Sequence, residues 1–84
     1  MPPRDRAPTL LEAFGEAIRR RRSTLQISQE ELGFRSGVHR TYVSELERGL
    51  KSPTLATIER LAEALDLRPS GLLRQAENRS RRWA

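Results

Sequence analysis

The sequence predicts an all-α fold built from five short helices. Apolar residues recur three and four positions apart in several segments of the 84-residue chain, which is the spacing of a helix that buries one face. Three of these segments follow a Ser or Thr of the kind that caps a helix N-terminus. No segment alternates apolar and polar residues as a half-buried strand does.

The first two helices have strong start and stop signals. Thr9, with Glu12 three positions later, is a capping-box pattern, and the apolar residues that follow predict a helix over about residues 10–23. Ser28, also followed by Glu at the third position, predicts a second helix. Gly37 should end that helix, because glycine readily adopts the left-handed conformation of a tight exit.

Three further helices complete the prediction. The third follows after only three residues, spans about residues 40–48 and stops at Gly49. Thr54 caps a fourth helix, and Pro69 suits the first turn of a fifth. The residues of the first and fourth helices expected on the core side are Leu10, Leu11, Phe14, Ala17, Ile18, Leu55, Ile58, Leu61, Ala62 and Leu65. We divide the chain into a flexible arm, a folded domain and a basic tail, at residues 1–8, 9–77 and 78–84.

Composition bounds the class of protein. A chain this short has a thin core, and it contains no cysteine that could staple it, so a second subunit is expected to contribute. The net charge is +5, and 15 of the 16 basic residues are Arg, which favours a polyanionic partner such as nucleic acid. No signal peptide or membrane span is apparent. We expect a soluble, cytoplasmic protein.

The sequence offers little for catalysis or small-molecule binding. The single histidine, His39, has no evident nucleophile partner, and neither a metal-ligand cluster nor a Gly-rich phosphate loop is present. So short a chain also leaves little room for an effector site. We expect no enzyme activity, no cofactor, no metal and no small-molecule ligand.

The second and third helices together carry the functional signal. Two short helices joined by a three- or four-residue turn with Gly are typical of the helix-turn-helix, whose second helix enters the DNA major groove. At helical spacing, the third helix has a polar stripe opposite Val43 and Leu46. The stripe consists of Arg40, Thr41, Ser44, Glu45 and Arg48. These residue types suit base reading. For a single helix an ordinary solvated face is the alternative, but the tight turn and the basic composition favour DNA.

Residues 14–73 resemble the DNA-binding domain of the lambda-repressor and Cro-like (XRE) regulators. The resemblance rests on the segments FGEAIRRRR, SQEELGFRSGVHRTYVSELERG and SPTLATIERLAEALDL. Within them, HRTYVSELERG is especially similar to the small controller proteins of restriction-modification systems, which are dimers of about this size. The resemblance implies a five-helix lambda-repressor-like domain that binds double-stranded DNA as a transcriptional regulator. We expect a homodimer on an inverted-repeat operator.

The resemblance also assigns roles to individual residues. It implies base contacts by Arg40, Thr41, Ser44 and Glu45, and DNA backbone contacts by Gln29, Tyr42, Arg48, Lys51 and Ser52. For Tyr42, packing at the edge of the core is an equal alternative. A structural ion pair is implied between Arg22 and Glu47. From the thin core and the short fifth helix, we expect the dimer interface to include Leu67, Leu72 and Leu73.

Several residues depart from the family pattern. Arg21 stands where an apolar residue is usual, which thins the core. Gln26 replaces a turn glycine, so a left-handed backbone there would carry strain of about 1 kcal/mol. His39 is a weaker cap than Ser, Thr or Asp, and Glu45 repels DNA unless a cytosine or a neighbouring Arg pairs with it. The alternative function is an antitoxin-like or other module that mainly holds a partner protein, with the same three leucines as its surface.

Overall fold

The computed structural model describes residues 8–80, and these form five helices without a strand. The helices are α1 (Leu10–Leu25), α2 (Gln29–Ser36), α3 (Arg40–Glu47), α4 (Leu55–Ala64) and α5 (Pro69–Arg79). The prediction of an all-α, five-helix fold is confirmed. Most of the predicted arm and the end of the predicted basic tail lie outside the described residues. Helix α5 passes the predicted domain boundary at residue 77, and Ser80 after it is buried.

The predicted N-terminal caps are formed. The hydroxyls of Thr9, Ser28 and Thr54 each accept a hydrogen bond from the backbone N–H three residues later, at 3.2, 3.0 and 3.1 Å. These bonds satisfy donors that have no partner inside the helix. His39 caps α3 through Nδ1, which accepts from the backbone N–H of Thr41 at 3.0 Å. Helices α1 to α4 therefore begin at a side-chain cap, whereas α5 has no side-chain cap and begins with Pro69 in its first turn.

One apolar core joins all five helices. Helix α1 packs against α3 and α5, and α2 packs against α3 and α4. The buried apolar residues are Ala13, Phe14, Ala17, Ile18, Leu32, Val43, Leu46, Leu61, Ala62, Leu65, Leu72 and Ala76. Leu10 and Leu55 were predicted on the core side, but their side chains are 41% and 76% exposed. Each is the first residue of its helix, so it extends past the end of the core.

The placement of Leu72 corrects one prediction about assembly. Leu72 was expected in a dimer interface, but its side chain is fully buried within a single chain. It packs in the core, where α5 meets α1. A residue with no exposed surface cannot be contacted by a second subunit. The other two predicted interface residues, Leu67 and Leu73, are partly buried against the same core.

Two arginines bond to the ends of helices that belong to other parts of the fold. Nε of Arg21 on α1 donates to the carbonyl oxygen of Leu65, just after α4, at 2.8 Å. Nε of Arg60 on α4 donates to the carbonyl oxygen of Ser36, the last residue of α2, at 3.2 Å. Carbonyls at helix C-termini lack intrahelical partners and attract cations. Arg21 thus ties α1 to α4 at a position where an apolar residue is usual.

Within residues 8–80, two residues other than glycine adopt the left-handed backbone region. Gln26 after α1 has φ of 57°, and Asp66 after α4 has φ of 61°. Gln26 thus adopts the left-handed conformation for which the sequence predicts strain of about 1 kcal/mol. The backbone N–H of Gln26 bonds to the carbonyls of Arg22 and Ser23. This left-handed cap ends α1 in a tight turn, so that α2 can begin at Gln29.

Gly15 marks the closest approach of α1 to α3. A Cβ atom added there would collide with the carbonyl oxygen of Leu46 and would lie 3.0 Å from the backbone of Glu47. These atoms are backbone, so they cannot move aside as a flexible side chain would. Only glycine lets the two helices pack at this distance.

We predict that Gly15→Ala lowers the free energy of unfolding by about 1 to 3 kcal/mol, because the added methyl group forces α1 and α3 apart. Gly71→Ala is the matched control. A Cβ at Gly71 meets no atom within 4 Å, so this change should raise stability by about 0.4 to 1 kcal/mol through reduced unfolded-state entropy. Urea unfolding followed by circular dichroism measures both. Equal stability of the two variants would contradict the close approach.

Candidate DNA interface

The turn between α2 and α3 is built on two glycines. Gly37 ends α2 with φ of 76°, a conformation that costs glycine little. Gly33 lies on α2 where an added Cβ would come within 2.6 Å of the carbonyl oxygen of Val38. The chain can therefore reverse direction tightly and pack α3 directly against α2, with only residues 37–39 between them.

Helix α3 presents one polar face away from the core. Its buried residues are Val43 and Leu46. The residues predicted to read bases occupy the other side: Arg40 and Thr41 are exposed, and Ser44 and Glu45 are partly buried. Arg48, which follows the helix directly, is exposed. The structure thus assembles the predicted stripe into one surface that begins at the N-terminus of α3.

The charged residues of this surface are loosely held in the free protein. Nη1 of Arg40 lies 3.8 Å from a carboxylate oxygen of Glu30 on α2, and both side chains are largely exposed. An exposed pair at this distance contributes little free energy. Among the described residues, the carboxylate of Glu45 has no hydrogen bond or ion pair. The nearby Arg48 side chain bonds instead, through Nε, to the carbonyl oxygen of Ser44 at 3.4 Å. Arg40 and Glu45 therefore do not have to break a strong contact to meet a ligand.

The residues predicted to contact the DNA backbone lie at the start of α2, within or just after α3, and in the segment between α3 and α4. Gln29 is the first residue of α2, and Lys51 and Ser52 are exposed in the segment between α3 and α4. Tyr42 is partly buried and packs against the core, which is the placement expected of the core-edge alternative.

The ion pair implied by the resemblance is present and nearly buried. Nε of Arg22 donates to Oε2 of Glu47 at 2.8 Å, and Nη2 donates to Oε1 at 3.1 Å. The Glu47 side chain is 4% exposed and that of Arg22 is 19% exposed. Nη1 of Arg22 also donates to the carbonyl oxygen of Ile27, at 3.0 Å. One arginine therefore joins the end of α1, the loop before α2 and the end of α3.

Glu47 has a further partner that the sequence did not reveal. Nε2 of Gln29 donates to Oε1 of Glu47 at 3.0 Å. These residues are 18 positions apart, so no helical or turn spacing relates them, and only the three-dimensional structure brings them together. We call Arg22, Glu47 and Gln29 the polar clasp. It joins α1, α2 and α3.

The described part of the chain contains neither a metal-binding cluster nor a membrane-spanning helix. No group of three or more His, Cys, Asp or Glu side chains in residues 8–80 could hold a metal ion. No helix in that range is long and apolar enough to cross a bilayer. On α1, the side-chain hydrogen bond from Arg19 lowers the pKa of Glu16.

The fold and this surface define a helix-turn-helix DNA-binding transcriptional regulator. The family model HTH_3, described as Helix-turn-helix, matches residues 18–72. The chain belongs to this family, which is of the XRE type. The predicted resemblance to lambda-repressor and Cro-like regulators is confirmed.

Similar proteins include a control protein, the solved structure of a restriction-modification controller protein and that of a repressor's DNA-binding domain. Control protein C.BamHI of Bacillus amyloliquefaciens is 43% identical over 61 residues, which cover 71% of this chain and 75% of that protein. The controller protein C.AhdI from Aeromonas hydrophila has 44% identity and a TM-score of 0.72, covering 74% of this chain and 94% of its own. The DNA-binding domain of the P22 C2 repressor has 38% identity and a TM-score of 0.70, with 71% and 79% coverage.

We predict that Glu47→Ala lowers the free energy of unfolding by roughly 3 to 5 kcal/mol, because it leaves the largely buried Arg22 without its counter-ion. Thermal melting should show a fall of about 12 °C or more. Glu31→Ala is the matched control, since Glu31 pairs with Arg35 on the open surface of α2 and should cost less than about 1 kcal/mol. A melting temperature for Glu47→Ala close to that of the control would contradict a structural role.

Proposed function

We propose that this protein binds a specific double-stranded DNA operator as a homodimer and acts as a restriction-modification controller. The observation that carries the proposal is the polar face of α3, which is exposed from its first residue and lies beyond a tight turn. A short helix exposed in this way fits the major groove. The excess of arginine in the chain provides attraction to the polyanion.

Each residue of the α3 face has a chemistry that suits a base edge. Arg40 can donate two hydrogen bonds to guanine, and Glu45 can accept from the amino group of cytosine. Thr41 and Ser44 offer hydroxyl groups, and Thr41 adds a methyl group for contact with thymine. Arg40 and Thr41 are more exposed than the other two, so they are positioned for contact at the end of α3 that enters first.

Backbone contacts would hold α3 in register. We assign this role to Gln29, Lys51 and Ser52, with Tyr42 and Arg48 beside them. Gln29 stands at the N-terminus of α2, where free backbone N–H groups and the helix dipole favour an anion. Contacts of this kind position a protein on DNA without reading its sequence.

We predict that Arg40→Ala weakens binding to the preferred operator by about 1 to 3 kcal/mol per half-site and relaxes the preference at one base position. Selection of binding sites from a random DNA library, with wild type and mutant in parallel, measures both effects. The preferred operator itself comes from the wild-type selection.

Arg20→Ala is the control for the lost charge. The side chain of Arg20 is 59% exposed on α1 and pairs with Glu16 of the same helix, so its removal should leave base preference unchanged. An Arg40→Ala protein that selects the same sequence as wild type would remove Arg40 from the base-reading set.

The proposed dimer uses apolar surface that one chain leaves uncovered. Leu55 is 76% exposed at the start of α4, and it borders a hollow with Ala56, Glu59 and Pro69 at the start of α5. Leu67 and Leu73, which are partly buried, remain candidates for the interface, whereas Leu72 belongs to the core. A two-fold contact made by one such patch on each chain would present two α3 helices about 34 to 36 Å apart. The operator would then be an inverted repeat with centres about 10 to 10.5 base pairs apart.

We predict that Leu55→Asp raises the dissociation constant of the dimer at least about tenfold, because the charge loses hydration when the patch is covered. Sedimentation velocity over a range of concentrations measures it. Phe34→Asp is the control, since Phe34 is 84% exposed on α2, outside the proposed patch. Unchanged association of Leu55→Asp, with a folded circular dichroism spectrum, would move the interface elsewhere.

The controller role is supported by the kind of relative that this chain matches. C.BamHI and C.AhdI are both named as control or controller proteins, and this chain spans 75% and 94% of them. We expect the gene to lie beside those of a DNA methyltransferase and a restriction endonuclease, which inspection of the flanking genes checks. If neither gene flanks this one, the controller role is wrong and the protein is a DNA-binding regulator of another kind.

A further inference from the structure

The amide of Gln29 is held in a defined orientation by Glu47. Nε2 of Gln29 donates to Oε1 of Glu47 at 3.0 Å. A carboxylate can only accept hydrogen bonds, so the nitrogen of the amide, and not its oxygen, must face Glu47. One of the two N–H groups of Gln29 is used in this bond. The other remains available, at the first residue of α2.

Glu47 is itself fixed. Both of its carboxylate oxygens accept from Arg22, and its side chain is only 4% exposed. Arg22 is anchored in turn by the carbonyl oxygen of Ile27. The carboxylate therefore cannot follow Gln29 if that side chain moves, and the amide is held against a rigid acceptor.

We infer that Glu47 positions Gln29 for DNA, so that the second N–H of the amide is directed at a phosphate oxygen. This inference rests on the proposed function, in which Gln29 contacts the DNA backbone. Glu47 acts here as a positioning residue, in addition to stabilising the fold. The polar clasp thus connects the core of the domain with its first contact to the phosphates.

The sign of the effect on DNA affinity separates positioning from simple electrostatics. Glu47→Gln removes a negative charge and leaves Arg22 unpaired, and both changes should strengthen attraction to DNA if charge alone mattered. The new side-chain amide can, however, turn its own N–H groups toward Gln29, so Gln29 no longer meets a pure acceptor. Positioning therefore predicts weaker binding in spite of the gain in positive charge.

The test is a double-mutant cycle of Glu47→Gln and Gln29→Met. Fluorescence anisotropy measures binding to a labelled 20-base-pair duplex of arbitrary sequence and to the duplex selected by wild type, with folded protein concentration taken from urea unfolding. Each single variant should weaken binding to both duplexes by about 10- to 150-fold per bound subunit, the effect of one hydrogen bond to a charged group. The double variant should bind no more weakly than either single variant, because both changes remove one shared contact.

A second measurement does not depend on the stability of Glu47→Gln. In the nuclear magnetic resonance spectrum of wild type, the side-chain N–H pair that disappears in Gln29→Met belongs to Gln29. One proton of this pair should be protected from exchange in the free protein, and only the other should shift when the arbitrary duplex is added. Two freely exchanging protons would overturn the inference.

The outcomes also separate this inference from the proposed function. Unchanged or tighter binding by Glu47→Gln, or additive losses in the cycle, would overturn positioning while the weakening by Gln29→Met still supported the phosphate contact. Wild-type affinity of Gln29→Met would overturn both the contact and the positioning. Failure of wild type to bind any duplex or to select any sequence would overturn the proposed function itself.

Discussion

The buried carboxylate of Glu47 is the constraint on which the arrangement of the first three helices depends. A charge that is 4% exposed is tolerated only when its partners replace water, because its desolvation costs several kcal/mol. Arg22 and Gln29 supply three donors to it, and these donors come from α1 and α2, whereas Glu47 ends α3. The three helices must therefore take relative positions that close the polar clasp. The helix-turn-helix geometry follows from this requirement together with the apolar contacts beneath it.

Polar contacts to backbone carbonyls supplement a small core elsewhere in the domain. Arg21 on α1 bonds to the C-terminal end of α4, and Arg60 on α4 bonds to that of α2. Each arginine therefore joins two helices without adding apolar volume to the core. Gly15 allows α1 and α3 to approach until their backbones touch, which extends the contact that a short chain can make. The fold of so small a domain thus combines close packing with charged side chains whose stems lie along the surface.

The sequence predicted where the helices lie better than it predicted which residues pack against them. Capping residues such as Thr9 and Ser28 act within three positions, so local spacing was enough to find them. Periodicity identified the apolar face of α5 but not what covers it, so Leu72 was assigned to a dimer while it lies in the core, and Leu55 was assigned to the core while it is exposed. The Arg22–Glu47 pair needed the family resemblance, and the bond from Gln29 to Glu47 needed the structure, because neither has a local signal.

The proposed interface divides its work between rigid and mobile side chains. Gln29 is fixed by a buried acceptor, as a residue that sets register should be, since a phosphate occupies the same place in every sequence. Arg40 and Glu45 lack strong partners in the free protein, so their contribution depends on the base that they meet. An arginine facing a wrong base loses hydrogen bonds, and an unpaired carboxylate facing another acceptor or a phosphate is repelled. Under this proposal, Glu45 contributes mainly by rejecting operators that lack a donor at its position, which makes the residue least suited to DNA a source of specificity.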